Sequence, residues 1–281
     1  MNNNVSDSTI TTTHWAGVER YFFDSLDSTN TKAMELARQG CSHGTLVIAD
    51  SQEQGKGRRG RSWSSEKGTG IYMSMVLRPE LKPEEAPGLT LVVALSVAKA
   101  IEACICGKEA AAMENVGERK VGQHDLQIKW PNDIVLNRKK VCGILTELQL
   151  DQAKVASVIV GIGVNVHQTT FPQEIQETAT SLDLEIGKVF CRSDLIEHIL
   201  ESFEIYYDGY LKTRDLTLLQ QEYESYLANK EQVVYVLDPL GEYEGIAKGI
   251  TPKGALIVET ETGIRYVDSG EVSVRGIYGY V

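Results

Sequence analysis

Residues Val155–Val166 form an almost continuous apolar run, broken chiefly by Gly161 and Gly163. A strand apolar at successive positions cannot leave either face in water, so it belongs in the centre of a covered sheet. The glycines open space beside its backbone, which leaves room for a ligand near the strand's end.

Other strands supply that sheet. Tyr21–Phe23, residues 45–50, Ile71–Leu77, Leu126–Trp130, Ile134–Leu136 and Val141–Gln149 read as strands, with Pro131-Asn132-Asp133 and residues 137–140 as turns. Helices are expected near 29–39, between candidate caps at 27–30 and Gly40, and over about 89–105, where Leu89, Val92, Val93, Ser96, Ala100, Ile101 and Cys104 recur at helical spacing. Further helices are expected from Ser193-Asp194 and over about 216–229. From Glu231 the texture changes to short strands at 233–236, 245–250, 255–259, 264–267 and 272–275, separated by glycine turns. Such spacing suggests a small barrel of the SH3 kind. The expected fold is α+β (mixed α/β): a central mixed sheet flanked by helices, with a small C-terminal SH3-like β-barrel. Residues 1–20 are expected to be a flexible tail, 21–229 the main domain and 230–281 the second. Residues 107–124 read as a polar surface excursion without chemistry.

Composition narrows the function. A net charge of −11 and a pI near 5.0 argue against a general nucleic-acid-binding surface. No apolar run approaches a membrane span, and no signal peptide is evident. Five scattered cysteines without C-x-x-C favour reduced thiols in a cytoplasm. Five scattered histidines without a ligand-spaced cluster give no protein-held metal site.

Against that acidic background, residues 52–63 stand out. Lys56, Arg58, Arg59 and Arg61 are interleaved with Gly55, Gly57 and Gly60, and Trp63 follows. Arginine forks match phosphate oxygens, and glycines let a backbone approach a ligand. The glycines satisfy G-x-G-x-x-G, but that fingerprint needs a helix after the loop, and here a strand follows. The plain alternative is a flexible charged turn. Three more constellations admit two readings each. Ser28-Thr29-Asn30 either caps a helix or points at a polar ligand. Lys129, beside Ile128 and Trp130, either snorkels to solvent or meets an anion. Asn165 either satisfies nearby backbone or reads a base edge with its amide.

Together these motifs resemble the biotin protein ligases. Gly55–Trp63 is similar to the family's G-R-G-R-R-G-R-x-W with Lys56 for the first arginine. Ser28-Thr29-Asn30 matches S-T-N, Lys129–Asp133 matches K-W-P-N-D, and Gly143-Ile144-Leu145 matches G-I-L. Gly161–Asn165 is similar to G-x-G-x-N, and Gly270–Arg275 to the family's C-terminal end. The likeness runs from about Tyr21 to the terminus. Only about 20 residues precede it, too few for the three-helix DNA reader of the repressor members. It therefore implies the short form, with no nucleic-acid or membrane partner.

The resemblance implies ATP-dependent activation of biotin as biotinyl-5′-AMP, with Mg²⁺ brought by ATP and no prosthetic group. Transfer to a lysine of a biotin carboxyl carrier protein would follow. It places Ser28, Thr29, Asn30, Gln52, Lys56, Gly57, Arg58, Lys129 and Gly143 around biotin and its adenylate. Arg58, Arg61, Trp63 and Asn165 fall to the nucleotide, and Lys129 and Arg58 carry catalysis. Lys56 in place of arginine removes a bidentate contact but keeps a backbone one. The sequence is compatible with a homodimer. A lipoate or octanoate ligase is the rival, and it would have no use for a polar ureido pocket.

Overall fold

The computed structural model describes residues 12–107, 120–121, 124–238, 241–269 and 273–276. An eight-stranded mixed sheet forms the main body. Its strands are β1 (Arg20–Phe23), β2 (Leu46–Ala49), β3 (Gly70–Leu77), β4 (Lys120–Val121), β5 (His124–Lys129), β6 (Asp133–Leu136), β7 (Lys139–Asp151) and β8 (Lys154–Asn165). Their spatial order is β1-β2-β3-β8-β7-β6-β5-β4. Only β1 and β2 run parallel; every other pair is antiparallel. The apolar run is β8, and it lies in the interior of the sheet as expected.

The faces are covered unequally. Helix α2 (Gly88–Cys106) and helix α4 (Arg192–Thr213) pack on one side, against Met73, Met75, Ile144, Val160, Ile162 and Val164. Contrary to the expectation that no apolar run approaches a membrane span, α2 is long and apolar enough to cross a bilayer, yet 67% of its apolar window is buried in the fold. Helix α1 (Thr29–Arg38) covers only part of the other side. Its Ala33, Leu36 and Ala37 meet Val47, Val76 and Ile159. Side chains alternate along a strand. Residues 161, 163 and 165 therefore share the face of Ile159, and Ser74 and Tyr72 share the face of Val76. As β8 leaves the cover of α1, its outward positions become glycine, and a hollow opens.

Helices α3 (Leu182–Ile186) and α5 (Gln220–Tyr226) complete the body. The helix expected over 216–229 is shorter because Leu227 bridges Ile128 and Ala228 N–H donates to the Ile128 carbonyl, drawing the chain alongside β5. The second unit contains β9 (Val233–Leu237), β10 (Tyr243–Ile250), β11 (Leu256–Thr260), β12 (Gly263–Val267) and β13 (Ser273–Gly276). Its order is β12-β11-β10-β9-β13, all antiparallel. Among the described residues β12 and β13 are the two edges, so the expected barrel is here an open five-stranded sheet. It is docked on the body: Trp130 Nε1 donates to the Gly254 carbonyl at 2.9 Å, and Gln220 Nε2 to that of Ile250 at 2.7 Å.

One expectation is corrected at the N-terminus. Part of the segment 1–20 is packed: Thr13 and Ala16 are buried, and Trp15 contacts the rings of His43, Phe203 and Tyr207. An indole at one position, not a periodic pattern, ties it down. Of the excursion 107–124, only Gly107, β4 and His124 fall among the described residues.

Candidate active site

The hollow beyond α1 encloses about 440 Å³ of solvent-connected space. Its floor is Gly143 of β7 and Gly161 and Gly163 of β8, neighbours by register because Gly143 pairs with Gly163 and Leu145 with Gly161. One wall is the start of α1, with Ser28, Thr29 and Asn30, joined by Gln52. The other side is the basic loop, contributing Lys56, Gly57, Arg58 and Trp63.

All three motif side chains at the start of α1 are buried, and the Ser28 side chain makes no capping hydrogen bond. Gln52 does that work: its Oε1 accepts from Thr29 N at 2.8 Å and lies 3.1 Å from Thr29 Oγ1. Gln52 Nε2 donates to Ser65 Oγ at 2.8 Å. The capping role thus falls to Gln52, twenty-three positions beyond Thr29, and Ser28 is left to line the hollow.

The loop folds back on itself. Trp63 N donates to the Gly55 carbonyl at 2.8 Å and Gly57 N to that of Arg61 at 2.7 Å, with one turn of 3-10 helix at Arg58–Gly60. Arg58 Nη1 donates to Asn132 Oδ1 at 2.8 Å, and its Nη2 donates to the Ser269 carbonyl of the second unit. Burial holds the Arg58 guanidinium below its ordinary pKa, Arg59 and Arg61 press the same way, and Asp133 opposes them. Arginine stays protonated regardless. What results is a partly desolvated positive charge with like charges behind it, a standing attraction for an anion.

Trp63 lies on the glycine floor. A Cβ at Gly143 would come within 2.8 Å of its ring. The indole Nε1 is buried without a hydrogen-bond partner, and Lys140 Nζ stands 5.3 Å from the ring centroid. Lys140 also pairs with Asp133 at 2.7 Å.

Lys129, Arg61 and Asn165 do not line this hollow. Lys129 is 7% exposed and pairs by register with Asp133, which pairs with Gly143. That row puts Lys129 on the hollow's face, two strands or about 10 Å from Gly143. Arg61 is exposed. Asn165 is buried, with its Nδ2 donating to the Thr180 carbonyl at 3.0 Å, the backbone-satisfying role. Asn132 and Lys140 were not singled out from sequence, yet both line the hollow. Asn132 sat unnoticed within K-W-P-N-D; nothing in the pattern marked Lys140.

Comparison with known proteins gives the family. Residues 22–165 match the Biotin/lipoate A/B protein ligase family, and 231–275 the Biotin protein ligase C terminal domain. The chain is 38% identical over 260 residues to the Bifunctional ligase/repressor BirA of Bacillus subtilis, covering 92% of this chain and 74% of that protein. It is 31% identical to the Biotin--[acetyl-CoA-carboxylase] ligase of Paracoccus denitrificans, covering 89% and 98%. The biotin protein ligase of Aquifex aeolicus, solved in complex with biotin and ATP, superimposes with a TM-score of 0.75 at 31% identity, covering 92% and 99%. The chain belongs to the biotin protein ligases, enzymes that form an amide bond.

Proposed function

We propose that this ligase joins biotin to one lysine of a carboxylase's biotin carboxyl carrier domain, through biotinyl-5′-adenylate. The observation that carries the reading is the shared hollow. A polar wall of Ser28, Thr29, Asn30 and Gln52 faces a glycine floor, and the cationic loop closes the other side. Biotin's ureido ring has fixed donors and an acceptor to match the wall. A dithiolane or alkyl chain has nothing for those four side chains to bind, which favours biotin over lipoate.

In the first step a biotin carboxylate oxygen attacks the α-phosphorus of ATP, and pyrophosphate leaves. Two anions must meet, so the obstacle is repulsion. Arg58 at the hollow, Arg61 on its loop and Lys129 on the adjoining row oppose it, and the backbone of Lys56 and Gly57 covers the ligand. Mg²⁺ enters with ATP and neutralises phosphate charge. Among the described residues no cluster of three His, Cys, Asp or Glu offers a resident metal site. Trp63 and the remaining polar capacity of Asn165 serve the adenine. In the second step the carrier's lysine amine attacks the acyl carbon and AMP leaves. Positioning and charge carry both steps, without a covalent nucleophile. The five free cysteines favour a cytoplasmic setting.

The test is incubation with labelled biotin, ATP, Mg²⁺ and a carrier domain, leaving out each in turn. Label should reach the carrier lysine only in the complete mixture. Labelling of a carrier whose target lysine is replaced by arginine would refute the assignment.

A further inference from the structure

Asn30 stands between groups that fix its orientation. Its Nδ2 is 2.7 Å from Glu147 Oε2 and 3.4 Å from the Leu145 carbonyl oxygen. A carboxylate and a carbonyl can only accept, so the amide cannot turn round, and Oδ1 is held on the opposite side. That side is the floor of the hollow: a Cβ at Gly161 would collide with Oδ1, and only glycine leaves the oxygen room.

The polarity then passes along a buried chain. Ser74 Oγ is 2.5 Å from Asn30 Oδ1 and 2.7 Å from Thr29 Oγ1. Ser74 has one proton and Oδ1 has none, so the serine proton goes to Asn30. Thr29 Oγ1 also lies 3.1 Å from Gln52 Oε1, so its single proton is spent on Ser74 Oγ or on that amide oxygen, and either way only lone pairs remain on Thr29 Oγ1 for the hollow. Gln52 is fixed from the other end. Its Oε1 takes the Thr29 backbone N–H, which turns Nε2 outward with one proton on Ser65 and one to spare.

We propose that Glu147 and Ser74 are positioning residues that set the hydrogen-bond polarity of this wall. Asn30 Oδ1 and Thr29 Oγ1 accept, and Gln52 Nε2 donates. A cyclic urea, with two N–H donors and one carbonyl acceptor, meets each of them with the opposite partner. A ring of different polarity leaves at least one of them unmatched, at the cost of a buried unpaired polar group. The inference rests on the biotin reading and adds residues that the motifs do not contain.

The experiment measures biotin-dependent ATP–pyrophosphate exchange for the full chain and for Glu147→Ala, Glu147→Gln and Ser74→Ala. Each is run with biotin and with 2-iminobiotin, whose C=NH replaces the urea oxygen. In Glu147→Ala and Ser74→Ala the KM for biotin should rise about tenfold or more, with kcat and the KM for ATP within about twofold. Preference for biotin over 2-iminobiotin, read at the urea oxygen by Gln52, should stay within about twofold in both, because the two substitutions disturb only the acceptors that meet the ring N–H groups. Glu147→Gln still presents a carbonyl oxygen to Asn30 and should recover most of the affinity. An unchanged biotin KM in both alanine variants overturns the proposal, as does an equal rise in both KM values with falling kcat. Absence of exchange in the unsubstituted chain would sink the biotin reading itself, and that result is visible before any variant is made.

Discussion

The indole of Trp63 occupies the space that a side chain at Gly163 would need: a Cβ there would lie 2.6 Å from ring atom Cε2. Glycine at 163 is therefore a condition for the tryptophan to lie flat on the floor. Gly163 pairs with Gly143 on β7, whose Cβ would also strike the ring, so two strands keep one platform clear.

Gly163→Ala should displace the indole and spoil the nucleotide side of the hollow more than the polar wall. The expected result is a KM for ATP raised about tenfold or more with a smaller change for biotin. Overpacking should cost on the order of 1–3 kcal/mol of stability. Steady-state kinetics with each substrate varied, alongside thermal melts, separates these. An unaltered KM for ATP would remove Trp63 from the nucleotide's surroundings.

The basic loop is held by a few contacts, chiefly Arg58 to Asn132 and Ser269, while Lys56, Arg59 and Arg61 are exposed. Like charges side by side disfavour a closed loop until an anion arrives. Trypsin should cut after these residues in the free protein, and biotin with ATP should slow that cutting at least several-fold. Equal cleavage in both states would show that the loop is no ligand-closed lid.

Stability should fall in mild acid through His43. Its Nδ1 accepts the Arg78 backbone N–H at 2.9 Å, and its ring lies 4.4 Å from Trp15. Burial chiefly, and then the Arg78 charge, depress its pKa, with Asp208 opposing. The unfolded chain then binds the proton more readily, so the native state is favoured fully above the ordinary histidine value of about 6.5 and loses ground as pH drops below it. Melting temperatures between pH 7.5 and 5 should show the decline, and His43→Asn, which keeps an acceptor but cannot titrate, should flatten it. A parallel decline in the variant would assign the effect to other groups.

Much of this was legible in the chain. The alternation of β3 and the apolar run of β8 are local patterns, so their elements emerged within a residue or two. The glycines of β8 announced a hollow because a glycine in a buried strand has few other uses. Pairings across the fold were not legible. Gln52 replaces Ser28 as the cap of α1 through a contact between separate loops. Lys140 enters the site because β7 folds it back over Trp63 and Asp133. Trp15 anchors the N-terminal segment to α4 by ring contacts that no periodicity encodes.

The central claim is that Arg58 and Lys129 lower the repulsion between a carboxylate and a triphosphate. Biotin-dependent exchange of labelled pyrophosphate into ATP isolates that step from carrier transfer. The unsubstituted chain should exchange only when biotin is present, Lys129→Ala should lose roughly a hundredfold or more in rate, and Arg58→Ala should release its adenylate faster as well. Undiminished exchange in both variants would contradict the account.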